Sequence, residues 1–354
     1  MNQPFERFCL RAPCGSGAVS YITEHIDASA MERICYLKGA RGALTADLLC
    51  ILKRLLRQAG VPTVTVVSAR RQNRAEGLIL PERKTALIDA AYPDAPEPEY
   101  PCAGEFTVNV DPLTDRDVLL ASAGALRMAD AALKKEEARL GRYLSAIRSL
   151  YEDSAAALSS ELRRDKLERY AAGFAAREFP RADRTARARH LLSATLFDRE
   201  APFAAAGPQT RYIAVDDAYG PTADAVFDAL AAQAVSRGLD CVFCRDPLLP
   251  DARTDLLLVP AAGIAFFRAG AACFRALAAE RTVHTARFLD GRTASAHRNR
   301  LTFNKKAIRE LAGGALDAAE KVGELQDVAD QFYLSAADPG RMREFAEALA
   351  KQIL

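Results

Sequence analysis

The feature that most constrains this chain is that it repeats itself. A short apolar strand, a glycine-bearing turn and a helix occur twice, with 178 residues between Gly42 and Gly220 and 179 between Pro81 and Pro260. A constant offset held across several elements is the mark of an internal duplication. It predicts two copies of one unit, and the 354 residues leave room for both.

In the first copy, Arg33-Ile34-Cys35-Tyr36-Leu37-Lys38 reads as a buried strand and Gly39-Ala40-Arg41-Gly42 as the turn after it. A helix is predicted over about Thr45–Ala59, with Leu48, Leu49, Ile51, Leu52, Leu55 and Leu56 on its apolar side and Gly60 closing it. Thr63–Ser68, Gly77–Pro81 and Thr85–Asp89 read as further strands, and Pro93, Pro96, Pro98 and Pro101 mark a loop. The pattern returns in Arg211–Val215, a turn at Gly220-Pro221, a helix over Thr222–Arg237, and strands at Asp240–Cys244, Leu256–Pro260 and Ile264–Phe267. Alternating strands and helices with apolar runs predict an α/β fold built on parallel sheets. Each α/β core precedes a helical segment. The first repeat is expected over 1–182, with its core over about 1–111 and helices over 112–182. The second is expected over 183–354, with its core over about 183–275 and helices over 276–354.

Half the residues are hydrophobic and the formal net charge is +2, which favours a packed core over disorder and offers no electrostatic case for nucleic acid or a membrane surface. No apolar run approaches the length of a membrane span, and Met1–Arg7 lacks a signal-peptide pattern, so a cytoplasmic location is expected. The eight cysteines are scattered, as befits reduced thiols. Only ten residues are lysine, and none lies between Lys166 and Lys305.

Strand, glycine turn and helix is the setting in which a phosphate-binding loop works. Backbone N–H groups cradle the phosphates, a lysine reaches their oxygens, and a Ser or Thr holds magnesium, in the pattern GxxxxGK[ST]. The first copy reads Gly39-Ala40-Arg41-Gly42-Ala43-Leu44-Thr45-Ala46. Leu44 stands at the second glycine and is expected to obstruct the approach to phosphate. Thr45 stands at the lysine, and Ala46 at the magnesium-binding hydroxyl. The second copy, Asp217–Asp224, has Ala223 at the lysine, and Pro221 removes an N–H donor. Asp216, Asp217 and Asp224 would repel a polyphosphate.

The duplicated layout resembles a family of bacterial tandem P-loop ATPases of unknown physiological role. The likeness runs through Tyr36–Gly39, Gly77–Pro81, Ala86–Asp89, Pro101–Glu105, Arg189–Ala194, Gly238–Val242, Asp246-Pro247, Val259-Pro260 and the helices of Ala319–Leu354. It implies two P-loop NTPase-like domains. It also implies ATP hydrolysis through Walker lysines, and this chain departs from the family at those positions.

A vestigial first nucleotide site would comprise Lys38, Gly39, Arg41, Gly42, Thr45 and Asp89, the last in the place of a Walker B aspartate. Asp89 alternatively forms a turn, Lys38 alternatively snorkels at a strand end, and Arg41 alternatively faces solvent. A second vestigial loop would keep Gly220 and Thr222. No catalytic residue is nominated. Cys241 and Cys244 have CxxC spacing, but residues three apart on a strand face opposite ways, so neither they nor the four histidines predict a metal site. The Arg-rich stretch 163–189 is interleaved with acids, as on a solvated helix. The expected function is a pseudo-ATPase acting as an interaction or regulatory protein, with a protein partner not identifiable from sequence. The alternative is a nucleotide or phosphate sensor at the first loop, where ATP and magnesium are expected only if that loop is competent. A third reading has a partner supply the missing lysine.

Overall fold

A computed structural model describes residues 5–27, 29–69, 73–92, 95–196, 210–290 and 297–354; the start of the chain at Met1 and the loop residue Pro93 lie outside the described residues. The chain is α/β and forms two compact units. The first comprises Met1–Leu10, Ile22–Arg139 and Ala318–Leu354, and the second Arg11–Tyr21 and Leu140–Asp317.

The first unit holds the short helix α1 (Ile22–His25) and strands β1 (Arg7–Cys9), β4 (Arg33–Lys38), β5 (Val64–Val67), β6 (Ala75–Leu80), β7 (Thr85–Asp89) and β8 (Glu105–Asn109), the strands in the order β1-β5-β6-β7-β4-β8. The second holds β9 (Ala188–Leu192), β10 (Arg211–Asp216), β11 (Cys241–Arg245), β12 (Thr254–Val259), β13 (Ile264–Arg268) and β14 (Arg281–His284), in the order β9-β11-β12-β13-β10-β14. It also carries a hairpin of β2 (Arg11–Cys14) and β3 (Gly17–Ser20). Strand for strand, the two sheets share one order and one set of directions.

The sheets are mixed, where the sequence pattern predicts parallel ones. β6 is antiparallel to β5 and β7, and β12 to β11 and β13, while the remaining pairs are parallel. The reason is connection length. Between β6 and β7 lies only the 3-10 turn Pro81–Arg83 and Lys84, too short for the crossover that parallel strands require. The same turn recurs at Pro260–Ala262, closed by Gly263 with φ 62°; its counterpart Lys84 holds φ 45°.

Helix α2 (Gly42–Gln58) buries Leu44, Leu48, Leu49, Leu52 and Leu56 against the first sheet. Its counterpart α6 (Pro221–Ser236) buries Val226, Phe227, Leu230 and Ala234 against the second. Gly238 follows α6 at φ 75°, and a Cβ there would meet the Ala182 carbonyl at 2.1 Å, so only glycine fits.

The α-helices after the first core are α3 (Arg116–Ala121), α4 (Ala123–Ser159) and α5 (Arg164–Glu178); those after the second are α7 (Arg298–Ser335) and α8 (Pro339–Ile353). Their packing is exchanged. Leu167, Ala171 and Phe174 of α5 join the α6 core of the second unit. Met342, Ala346, Leu349 and Ile353 of α8 join the α2 core of the first. Neither unit is therefore one continuous stretch of chain. Among the described residues, no helix is long and apolar enough to cross a membrane.

Candidate functional site

In both units the site predicted from sequence falls where the carboxyl ends of parallel strands meet a helix N-terminus, the usual place for ligands in open α/β sheets. The two copies are built differently there.

In the first unit, three residues join β4 to α2. Gly39 has φ 98°, and a Cβ on it would approach Asp111 Oδ1 at 2.2 Å and Asn109 Oδ1 at 2.6 Å. Arg41 is the N-cap residue in extended conformation and makes no side-chain capping bond. The helix then starts at Gly42, three residues before the predicted start, because Gly42 and Ala43 carry no apolar bulk for periodicity to detect. This changes the reading of the loop. Ala43, Leu44, Thr45 and Ala46 are buried residues of the first turns of α2, not parts of an extended cradle. Leu44 is fully buried among Leu37, Leu48, Leu87 and Val110, so its side chain belongs to the core and does not obstruct a loop.

The positive charges nominated for this site point to acids. Lys38 is paired with Glu97. Arg41 Nη2 lies 2.5 Å from Asp130 Oδ1, and Lys134 Nζ lies 2.9 Å from Asp130 Oδ2. Lys134 and then Arg41 hold the Asp130 carboxyl below the usual carboxylate range. Asp89 and Gly42 are brought together: a Cβ on Gly42 would lie 3.7 Å from Asp89 Oδ2. Asp89 is buried, and its Oδ1 accepts from the Ala91 N–H at 3.0 Å, the self-bonding of a turn-forming aspartate. Thr45 is buried, and its Oγ1 has no hydrogen-bond partner among the described residues.

In the second unit the chain fills the corresponding place itself. Asp217 follows β10, and its Oδ2 accepts from the Ala223 N–H at 2.7 Å while Oδ1 accepts from the Tyr219 N–H at 3.0 Å. A carboxylate thus occupies the N-terminus of α6, where helix amides attract an anion. Gly220 is the N-cap residue with φ 107°, and Thr222 is buried with its Oγ1 unpartnered among the described residues.

Arg268 supplies the countercharge. It ends β13, 179 residues beyond Asp89. Its guanidinium donates to the Gly220 carbonyl, to Asp224 Oδ1 at 2.7 Å and to the Thr254 carbonyl at 2.9 Å. Asp217 Oδ2 stands 3.8 Å away. Asp224 also accepts from the Thr254 N–H at 2.8 Å and from the Tyr151 hydroxyl. Desolvation opposes the buried guanidinium, but Asp224, Tyr151, Asp255 and Asp217 outweigh it and hold its pKa above the ordinary arginine value. The offset alone places Arg268 on the position that Asp89 holds in the first copy; that the acids of the turn fold back onto it requires the structure. Asp216, the third of those acids, instead faces His284 Nδ1 at 3.0 Å on the surface.

Cys241 and Cys244 lie buried in β11 as free thiols, and desolvation pushes Cys241 up to about 12. His190 stacks on Phe243 and Tyr21 with ring centroids 5.2 and 5.4 Å apart, a packing role. Among the described residues, no group of three or more His, Cys, Asp or Glu side chains is placed to hold a metal. No protein-family model, no curated protein and no solved structure matches this chain.

Proposed function

We propose that this chain is a degenerate tandem P-loop ATPase-like protein that does not hydrolyse nucleotide and serves as an interaction or regulatory protein. The observation that carries the reading is the Asp217 carboxylate on the α6 amides, with Arg268 beside it: an internal anion and cation stand where phosphate and its cationic partner would bind. The first unit adds support, because Lys38 and Arg41 are both engaged by acids and the lysine position is the buried Thr45. The test is magnesium-dependent ATP turnover by the purified chain. Phosphate release at background is expected. Turnover that Gly42→Ala or Asp89→Ala abolishes would overturn the proposal.

One observation favours a second reading. Helix α2 has no side-chain cap and, unlike α6, no acidic residue in its first turn, so no carboxylate of its own first turn offsets the positive end of the helix. A phosphate or nucleotide sensor would use it together with Gly42 and Thr45. A thermal-shift titration with ATP, ADP, GTP and inorganic phosphate decides: ligand at about 100 times Kd stabilises by about 2.7 kcal/mol, and a flat response rejects this reading.

A further inference from the structure

The second unit packs four aspartates around two arginines. Asp246 Oδ2 lies 3.1 Å from Arg253 Nη1, and Asp255 Oδ1 lies 3.4 Å from Arg253 Nε. Arg268 stands 2.7 Å from Asp224, 3.8 Å from Asp217 and 3.9 Å from Asp255. Asp246, Asp255 and Arg268 are buried, and the side chains of Asp217 and Asp224 are 2% and 15% exposed. With every acid ionised, four carboxylates face two guanidiniums. Two negative charges are then in excess where little water reaches them, a costly arrangement. Arg245 of β11 does not redress it: its Nη1 donates to the Thr254 hydroxyl at 2.8 Å, and it acts on Asp228.

The hydrogen bonds single out one acid. Asp224 accepts from Arg268, the Thr254 N–H and the Tyr151 hydroxyl. Asp217 accepts from the Tyr219 and Ala223 amides. Asp246 accepts from the Leu248 N–H at 2.9 Å and faces Arg253 Nη1. Asp255 accepts only from the Ser193 hydroxyl, at 2.8 Å on Oδ2, and its Oδ1 has no hydrogen bond among the described residues. Donors favour the charged form of a carboxyl, so the acid with the fewest is the one most readily neutralised. Burial, and then the charge of Asp246, push the Asp255 carboxyl up to about 6, against the pull of Arg253, Arg268 and Ser193. The thiols Cys244 and Cys273 also act with Asp255, and burial pushes both up, so they carry no charge. From α7, the uncharged Ala312 and Leu316 line the cavity that Asp255 also lines.

We propose that Asp255 is a proton switch in the second unit: in mild acid it takes up a proton from solvent, its bond with Ser193 reverses so that the carboxyl donates and the hydroxyl accepts, and the unit becomes more stable. Neutralising Asp255 removes one of the two excess charges and leaves both arginines to the other three acids. Because the folded-state value lies above the ordinary 3.8, the folded chain holds this proton more tightly than the unfolded chain does. The added stability is full below 3.8 and is lost as pH rises through about 6.

The test is carbon-13 NMR of the aspartate carboxyls of the full chain, titrated from pH about 8 to about 4. One carboxyl should titrate with a midpoint near 6. Asp255→Asn should remove that signal, and Ser193→Ala, which deletes the one hydrogen-bond donor, should move its midpoint upward. Thermal melts give the second readout. The Tm of the wild type minus that of Asp255→Asn should rise by about 2–5 °C between pH about 7 and about 5, because the asparagine cannot take up the proton. A midpoint for Asp255 in the ordinary aspartate range, a midpoint that Ser193→Ala leaves in place, or a Tm difference that is constant or falls on acidification would overturn the proposal. The titration of the wild type and of Ser193→Ala decides even if Asp255→Asn does not fold.

Discussion

Substituting Leu44 separates a vestigial phosphate loop from a helix that begins early. If residue 44 lined a cradle, glycine there would open it to phosphate and leave the core intact. The structure sets a different expectation, because Leu44 is fully buried in the core cluster that also holds Leu37, Leu48, Leu87 and Val110 of the first unit. Removing such a side chain costs the lost transfer free energy plus the cavity left behind, about 2–5 kcal/mol for Leu→Ala. Sheet and helix enclose the site on both sides and collapse poorly, so Leu44→Ala should cost about 3 kcal/mol. Leu44→Gly adds up to about 1 kcal/mol for glycine within a helix. For units of this size, each kcal/mol lowers Tm by roughly 2–4 °C, so Leu44→Ala should melt about 6–12 °C early. The chain has no tryptophan, so urea unfolding is followed by circular dichroism and tyrosine emission. A Leu44→Gly protein within about 1 kcal/mol of wild type that also gains saturable ATP binding would refute the reasoning, since core burial is worth more than that.

Three further outcomes are expected. Thr45→Val replaces a buried hydroxyl that has no partner among the described residues by a group of the same shape, and should be neutral or stabilising by up to about 1 kcal/mol in urea titrations. Arg268→Met leaves Asp224 and Asp217 buried without their guanidinium, and at neutral pH should cost about 3–5 kcal/mol. Urea unfolding followed by circular dichroism checks this, and a loss under about 1 kcal/mol would count against the ion network. Asp153 is held down to about 2 by Arg300 and Asn304, so its contribution is present above the ordinary aspartate value of 3.8 and is lost as pH falls from there through about 2. Carboxyl titration by NMR should show Asp153 ionised at pH about 3, and Arg300→Gln should return it toward the ordinary value.

The duplication was legible because it is written in local periodicity: the strands and the two core helices follow from runs such as Leu48–Leu56 and Ala86–Asp89. The antiparallel course of β6 was hidden, since an apolar run has no direction; only the shortness of the Pro81–Lys84 connection sets it. The start of α2 was misplaced because Gly42 and Ala43 are silent in a hydrophobic pattern. The exchanged helices were out of reach for a different reason. The apolar side of α8 fits any leucine-lined groove, and nothing local says that its partner is α2. Charges at the predicted sites were the least legible. Arg74 finds Asp330 at a separation of 256 residues, and Arg268 finds Asp224 across 44, so their pairing depends on the completed fold.

The exchanged helices also set an order of assembly during synthesis. The first core contains β4 from residue 33 and α8 from residue 339, so its last wall is translated about 300 residues after that strand. At about 5–20 residues per second that is a delay of roughly 15–60 s, during which the part of this core that α8 covers waits open. The second core has no such wait, because α5 leaves the ribosome before α6 and is already present when that unit closes. The part made first is therefore finished last. A chain stopped before Pro339 would hold one complete core and one open leucine groove, a product for chaperones and proteases to find.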